Sequence, residues 1–282
     1  MKQIDLGGAS CTLWLQDTPQ VPPYKTATIG KFSCPDQQSG KNILTAAIEH
    51  LRQEGFEYLI GPMDQNTWKS YRFVTESDGT PPFFLEPQNP DFYSKVFLES
   101  DFEVIGTYSS GIDTDIQPAC LEKFEQRLQA QGFQINEFDL KRADAELADI
   151  HMLSVEAFSK NYLYTPIGLK AFRDMYQPIL SMLQPRYVLL ARDRERKLRG
   201  FIFALPIFAH GPAPNQLIIK TYASIYPGLG RYLAEEIMKR AKEDRYEAII
   251  HALMYDSNAS KHTSNKYGHT FRRYCLYGRR LA

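Results

Sequence analysis

The feature that most constrains the fold is a repeat. The stretch SIYPGLGRYLAEEIMKRA, Ser224 to Ala241, puts two glycines between an apolar, strand-like run and an amphipathic helical pattern. Laid over the N-terminal half without gaps at an offset of 190 residues, it places Gly40 under Gly230 and Lys41 under Arg231. Ile43, Ala47 and Leu51 then fall under Leu233, Ile237 and Ala241, the i, i+4, i+8 spacing of one helical face. GFEYLIG (Gly55 to Gly61) sits under RYEAIIH (Arg245 to His251), each an apolar run of strand length. The strands ahead of the loops are ATIGKF, Ala27 to Phe32, and LIIKTYAS, Leu217 to Ser224, rich in residues that suit a pleated surface. Each half therefore reads strand, glycine-containing loop, helix, strand, a pattern that any two βαβ units share.

The length of 282 residues agrees with two units, at roughly 150 residues per domain. Lysine plus arginine equals aspartate plus glutamate, 33 of each, so no global field draws the chain to nucleic acid or an anionic membrane. A small or locally recognised substrate fits that balance, with no DNA partner. No segment approaches the ~18 apolar residues of a membrane span, and the chain reads as soluble and cytoplasmic. Cys11, Cys34, Cys120 and Cys275 lack paired metal-type spacing, so no metal is expected and all four read as buried free thiols.

In the second half, FQINEFDL (Phe133 to Leu140) reads as a strand. A helix follows from about Asp144 to Phe158, with Leu147, Ile150, Val155 and Phe158 on its apolar face. Thr165 and Pro166 look like an N-cap and first helical residue, ahead of Leu169, Phe172, Tyr176 and Ile179. RYVLLA and GFIFALPIFA flank RDRERKLR, a charged hairpin turn with interleaved signs. PACLEKFEQRLQAQG, Pro118 to Gly132, has helical spacing and joins the halves. The domain cut goes there, giving residues 1–131, with the connecting helix near 118–131, and residues 132–282.

This element order, with its motifs, resembles the GNAT acyltransferase superfamily, and the repeat makes the chain look like a tandem of two such folds. The resemblance implies an α/β (α+β) fold of two mixed sheets flanked by helices. The family motif at the strand-to-helix junction is Arg or Gln, two residues, Gly, one residue, then Gly or Ala. Aligned on Gly228 and Gly230, IYPGLG puts Ile225 in the basic position. Backbone N–H groups at a helix N-terminus remain, and with them the means to hold an anion. The N-terminal copy, SCPDQQSGK, has one glycine, and Phe97 stands where the family keeps a tyrosine, so it looks like a copy that has lost chemistry. Ser39, Gly40 and Lys41 stay open as the alternative phosphate-holding set.

The resemblance further implies acetyl-CoA or another acyl-CoA at Gly228, Leu229, Gly230 and Arg231. Its pantetheine would lie beside the strand at Tyr222, Ala223 and Ser224, with Asn258 as a further contact. The acceptor would be an amine of a small molecule or peptide, with Tyr162 and Tyr164 of FSKNYLYTP near its pocket. The strand from Ile218 to Ser224 carries no carboxylate. Tyr255 and Asp256 are therefore the leading catalytic candidates, with His251 behind them and Tyr267 beside the late glycine of NASKHTSNKYGH. An aminoacyl transferase on the same fold, or a GNAT-fold binding protein without catalysis, are the competing readings. A monomer is expected, since the two halves can satisfy each other's sheet surfaces, with a homo-oligomer as the alternative.

Overall fold

The computed structural model describes all residues except 208–214, 258–267 and 282. In chain order the first-half elements are β1 (Lys2–Leu6), β2 (Ala9–Trp14), β3 (Thr26–Ser33), α1 (Gln37–Gln53), β4 (Tyr58–Gly61), β5 (Phe73–Ser77), α2 (Phe92–Leu98), β6 (Glu103–Asp113) and α3 (Glu122–Ala130). They continue with β7 (Gln134–Glu137), α4 (Ala143–Phe158), α5 (Leu169–Tyr176), β8 (Val188–Arg192), β9 (Leu198–Ile207), β10 (Gln216–Ser224), α6 (Leu229–Glu243), β11 (Ala248–Tyr255) and β12 (His269–Arg280). The fold is mixed α/β, as expected.

Two compact units emerge, and they are interleaved along the chain. The first holds Met1–Ser109, Asn161–Thr165 and Phe271–Ala282; the second holds Ser110–Lys160 and Pro166–Thr270. The connecting helix had suggested one cut between residues 131 and 132. The chain instead passes from the first unit to the second within β6, and its last strand belongs to the first. Strand exchange of this kind leaves no mark on hydrophobic periodicity, which reports faces and not partners.

In the first unit the strand order is β1-β2-β3-β4-β12-β6, with β5 also on β12. β3 and β4 are parallel through Thr26↔Tyr58 to Thr28↔Ile60, while β12 runs antiparallel to β4 and β5. The helical stripe read from the sequence is the core: Ile43, Leu44, Ala47 and Leu51 of α1 are buried against Leu13, Ile29, Leu59, Phe97 and Tyr277. Each buried Ile, Leu or Phe side chain of this set contributes about 1.5–3 kcal/mol of burial free energy.

The second unit orders β6-β11-β10-β9-β8-β7. Its α6 side buries Leu189, Ile202, Ala204, Leu217, Ile219 and Ile249 beneath Leu229, Leu233 and Ile237 of α6, with Leu128 of α3. The alternate residues Phe201 and Phe203 face α4 and α5, where they line a small apolar cavity with Leu147, Ile150 and Tyr176. The charged run is a hairpin turn, with Arg192 pairing Leu198 across it. Three details differ from the sequence reading. Leu153, not Val155, joins Leu147 and Ile150 in the buried face of α4. α5 begins at Leu169 after Gly168, so Thr165 is not its N-cap. Cys11 and Cys34 are buried, whereas Cys120 is exposed and Cys275 half-buried; all four are free thiols.

Candidate functional site

The two parallel strands at the centre of the second unit part company. The β10–β11 ladder runs from Gln216↔Ala248 to Ile219↔His251, and among the described residues it ends there. A one-residue register shift between Ile219 and Thr221 bends β10, which goes on pairing with β9 from Thr221↔Phe203 to Ser224↔Gly200. Bulges of this kind increase local twist and re-aim a strand. β11 continues to Tyr255 with a residue of positive φ, Leu253 at 55°, whose N–H donates to Ser110 Oγ of β6 at 3.0 Å. Past Ile219↔His251 the C-terminal ends of β10 and β11 are no longer paired, which marks a wedge at the place where open α/β sheets bind ligands.

At the end of β10 the chain turns into α6. Ile225 N donates to Arg199 O at 3.0 Å, and Ser224 Oγ accepts from Tyr226 N at 3.1 Å and donates to Tyr226 O at 2.8 Å. Leu229 N closes the turn onto Tyr226 O at 3.2 Å. Gly228 is the N-cap, at φ 82°. A Cβ there would meet the Phe124 ring at 2.8 Å, so packing and backbone both demand glycine. Gly230 differs: its Cβ would lie 3.4 Å from the Tyr222 ring and 3.7 Å from Ser224 Cβ, ordinary contacts that demand nothing. A plain structural turn explains Gly228 but leaves Gly230 without a reason. The first turn of α6 has neither a side-chain cap nor an acidic residue. The Leu229 amide is taken by Tyr226 O, but no side chain or carboxylate of the first turn offsets the helix dipole there, which suits an anion. Arg231, half-exposed, stands at the rim with Nε 3.5 Å from buried Glu235, which also accepts from Ala119 N at 2.7 Å.

Of the remaining expected site residues some fall around the wedge, some outside the described residues, and two in the first unit. Tyr222 lies under Gly230, and Ala223 is buried opposite Phe201. Tyr255 ends β11 and Asp256 follows it, both half-buried. Asn258 and Tyr267 lie outside the described residues. His251 is the last residue of β11 in its ladder with β10; burial holds its pKa down to about 4, and its Nε2 has no hydrogen-bond partner among the described residues. Tyr162 and Tyr164, expected near an acceptor pocket, belong to the first unit. There Trp68 Nε1 donates to Thr165 O at 2.8 Å, and the Trp68 and Tyr164 rings meet edge-on at 6.0 Å.

The equivalent positions of the first unit are closed by the chain itself. The N-terminus of α1 is capped by the Asp36 carboxylate, which accepts from Ser39 N at 2.8 Å and puts a negative charge where an anion would sit. Hydrogen bonding from Ser39 holds that carboxyl below the usual carboxylate range. Gly40 is packed shut, a Cβ there meeting Cys34 Sγ and Val96 Cγ1 at 2.9 Å. Beyond the short β3–β4 ladder, Met63 N donates to Ile29 O at 2.7 Å and Lys31 N to Asp64 Oδ1 at 2.9 Å. Lys41 pairs with Glu99 at 2.5 Å, Asn89 is tied to the Val74 backbone, and Phe97 is fully buried. The alternative set Ser39, Gly40 and Lys41 therefore has each of its groups engaged internally. An aspartate three residues before Ser39 is a readable capping signal, but the sequence reading missed it. The bond from Lys31 to Asp64 has no local sequence signal.

No protein-family model and no curated protein matches the sequence. Solved structures do. A GCN5-related N-acetyltransferase from Sphaerobacter thermophilus is 10% identical with a TM-score of 0.57, over 97% of this chain and 77% of that one. A tandem GNAT protein from the clavulanic acid biosynthesis pathway is 12% identical with a TM-score of 0.56, over 99% of this chain and 81% of that one. A glucosamine N-acetyltransferase region of a fungal multi-domain β-N-acetylglucosaminidase is 10% identical at a TM-score of 0.57, and this chain spans 31% of its length. At such identities the likeness is one of architecture, and it agrees with the repeat: the chain carries the GNAT fold along nearly its whole length.

Proposed function

We propose that the chain is an acyl-CoA-dependent N-acyltransferase with its working site in the second unit. The substrate pair would be acetyl-CoA, or another acyl-CoA, and an amine of a small molecule or peptide. The observation that carries this reading is the uncapped N-terminus of α6, with a glycine at Gly230 that packing does not require, set at the end of a strand that leaves its parallel neighbour. The residues fit the group. Backbone amides at Gly228, Gly230 and Arg231 would hold the pyrophosphate, and the edge of Tyr222, Ala223 and Ser224 would accept the pantetheine arm as an added strand. Leu229, whose own amide closes the turn, sets their direction.

When bound, acyl-CoA supplies an activated thioester. A backbone N–H of β10 near the wedge would stabilise the oxyanion that forms as the amine attacks. Tyr255 or Asp256, at the end of β11, would take the amine's proton directly or through a water, with Tyr267 and Asn258 as further members of the site. Cytoplasmic location, supported by four free thiols, and a monomeric state complete the proposal.

Calorimetric titration of acetyl-CoA, CoA and dephospho-CoA into the wild type and Gly230→Glu tests it. Binding by the wild type and its loss in the variant are expected, because the carboxylate blocks and repels the pyrophosphate. A wild type that binds none of the three ligands would overturn the reading. Ile225 in place of the usual basic or amide residue favours a second reading, an acyl-CoA-binding protein without turnover. Binding with no CoA release across a broad amine panel would select it.

A further inference from the structure

His251 is a buried polar group whose burial nothing among the described residues explains. The residue is 8% exposed, and Nε2 finds no hydrogen-bond partner among the described residues. Native proteins pair nearly all such atoms, because an unpaired one gives up its hydration for nothing. The exceptions ask for a ligand or a cost knowingly borne at a working site.

Its place answers which. His251 is the Cα partner of Ile219 in the final pair of the β10–β11 ladder, at the root of the wedge. Ile219 and Ile249 both belong to the cluster packed with Leu229 and Leu233 of α6. Side chains alternate along a strand and agree across a ladder, so His251 stands on the α6 side of the sheet. Tyr222, which carries Gly230 over its ring, is on that side too, past the register shift. The orphan nitrogen and the uncapped helix terminus thus border the same side of the same wedge, one at its root and one at its mouth.

We propose that His251 Nε2–H donates a hydrogen bond to the carbonyl oxygen of an acyl thioester lying in the wedge, an inference that rests on the acyl-CoA reading above. A neutral imidazole suits a donor better than a base, and burial keeps this one neutral at physiological pH. The bond strengthens as the amine nitrogen bonds to the acyl carbon and negative charge gathers on the oxygen. The C–S bond then breaks, and the proton shed by the amine ends on the departing thiolate. His251 would accordingly sense whether an acyl group is present, not merely whether CoA is bound.

The test uses the full chain with its six histidines labelled with ¹⁵N, the His251 signal being identified by its absence in His251→Gln. CoA and acetyl-CoA are titrated in turn, with calorimetry in parallel. The expected result is that acetyl-CoA moves the Nε2 resonance further than CoA does. The wild type should also prefer acetyl-CoA several-fold, and His251→Leu should erase that preference. Binding of both ligands with an unmoved His251 resonance would overturn the proposal and leave the acyl-CoA reading standing. Binding of neither would overturn both. If His251→Leu does not fold, the wild-type spectra decide alone.

Discussion

Gly40 and Gly230 occupy one position of the repeat, yet their surroundings give opposite expectations for the same substitution. At Gly40 an added Cβ meets Cys34 Sγ and Val96 at 2.9 Å, so Gly40→Ala overpacks a fully buried site and should cost about 1–3 kcal/mol. At Gly230 the nearest atom is 3.4 Å away, and Gly230→Ala should be neutral or stabilising by up to about 1 kcal/mol through reduced chain entropy. Urea midpoints of the two variants check the pair; equal losses would mean that Gly230 is also held by packing. His251 adds a pH signature at this scale. Its folded pKa of about 4 lies below the ordinary 6.5, so the unfolded chain binds the proton more readily in between. The corresponding stability, on the order of 3 kcal/mol, is present above pH 6.5 and lost as pH falls toward 4. In His251→Gln the denaturation midpoint should vary less steeply across that window than in the wild type.

Among the elements, the two equivalent helix N-termini show how differently one pattern can be finished. α6 ends outward at an uncapped glycine; α1 is sealed by Asp36, and the strand beside it by Asp64. Burial raises the Asp64 carboxyl pKa, so its ionised form is a cost that grows as pH rises through its folded pKa. Asp64→Asn keeps an oxygen for Lys31 N–H and sheds that cost, whereas Asp64→Ala strands the amide. Thermal unfolding at neutral pH should therefore rank Asn at or above the wild type, with Ala lower by about 0.5–1.5 kcal/mol, the net worth of an exposed hydrogen bond. An alanine variant as stable as the asparagine one would show that the amide finds water instead. Periodicity made α1, α4 and α6 and their apolar stripes legible, because burial of one face is what a helical repeat encodes. It missed the start of α5, since Thr165–Pro166 imitates a cap signal while the chain stays non-helical until Leu169. The GLGR turn and the strand before it were equally readable. The wedge was not, because it depends on where two strands stop pairing, and neither strand's own sequence states its partner.

At the scale of the whole molecule, one strand carries a consequence that length and composition conceal. β12 comes late in the chain but supplies Tyr277, and the residue after it, Leu281, to the core of the first unit, each 1% exposed, and it pairs with both β4 and β5. At about 1.5–3 kcal/mol per fully buried large side chain, losing Tyr277 and Leu281 alone removes several kcal/mol. Domains of this size have a net stability of only about 5–15 kcal/mol. Cutting the sheet also exposes the edge of β4, whose Leu59 and Ile60 are fully buried, to solvent or to another chain. A fragment of residues 1–131, cut at the expected connecting helix, should therefore show no cooperative unfolding transition and should aggregate. Joining the last strand to it through a flexible linker should restore cooperativity, since the missing ladder is then complete. A cooperative, monomeric 1–131 fragment would show instead that the first unit closes without its last strand, and that the exchange at the chain's end is dispensable for folding.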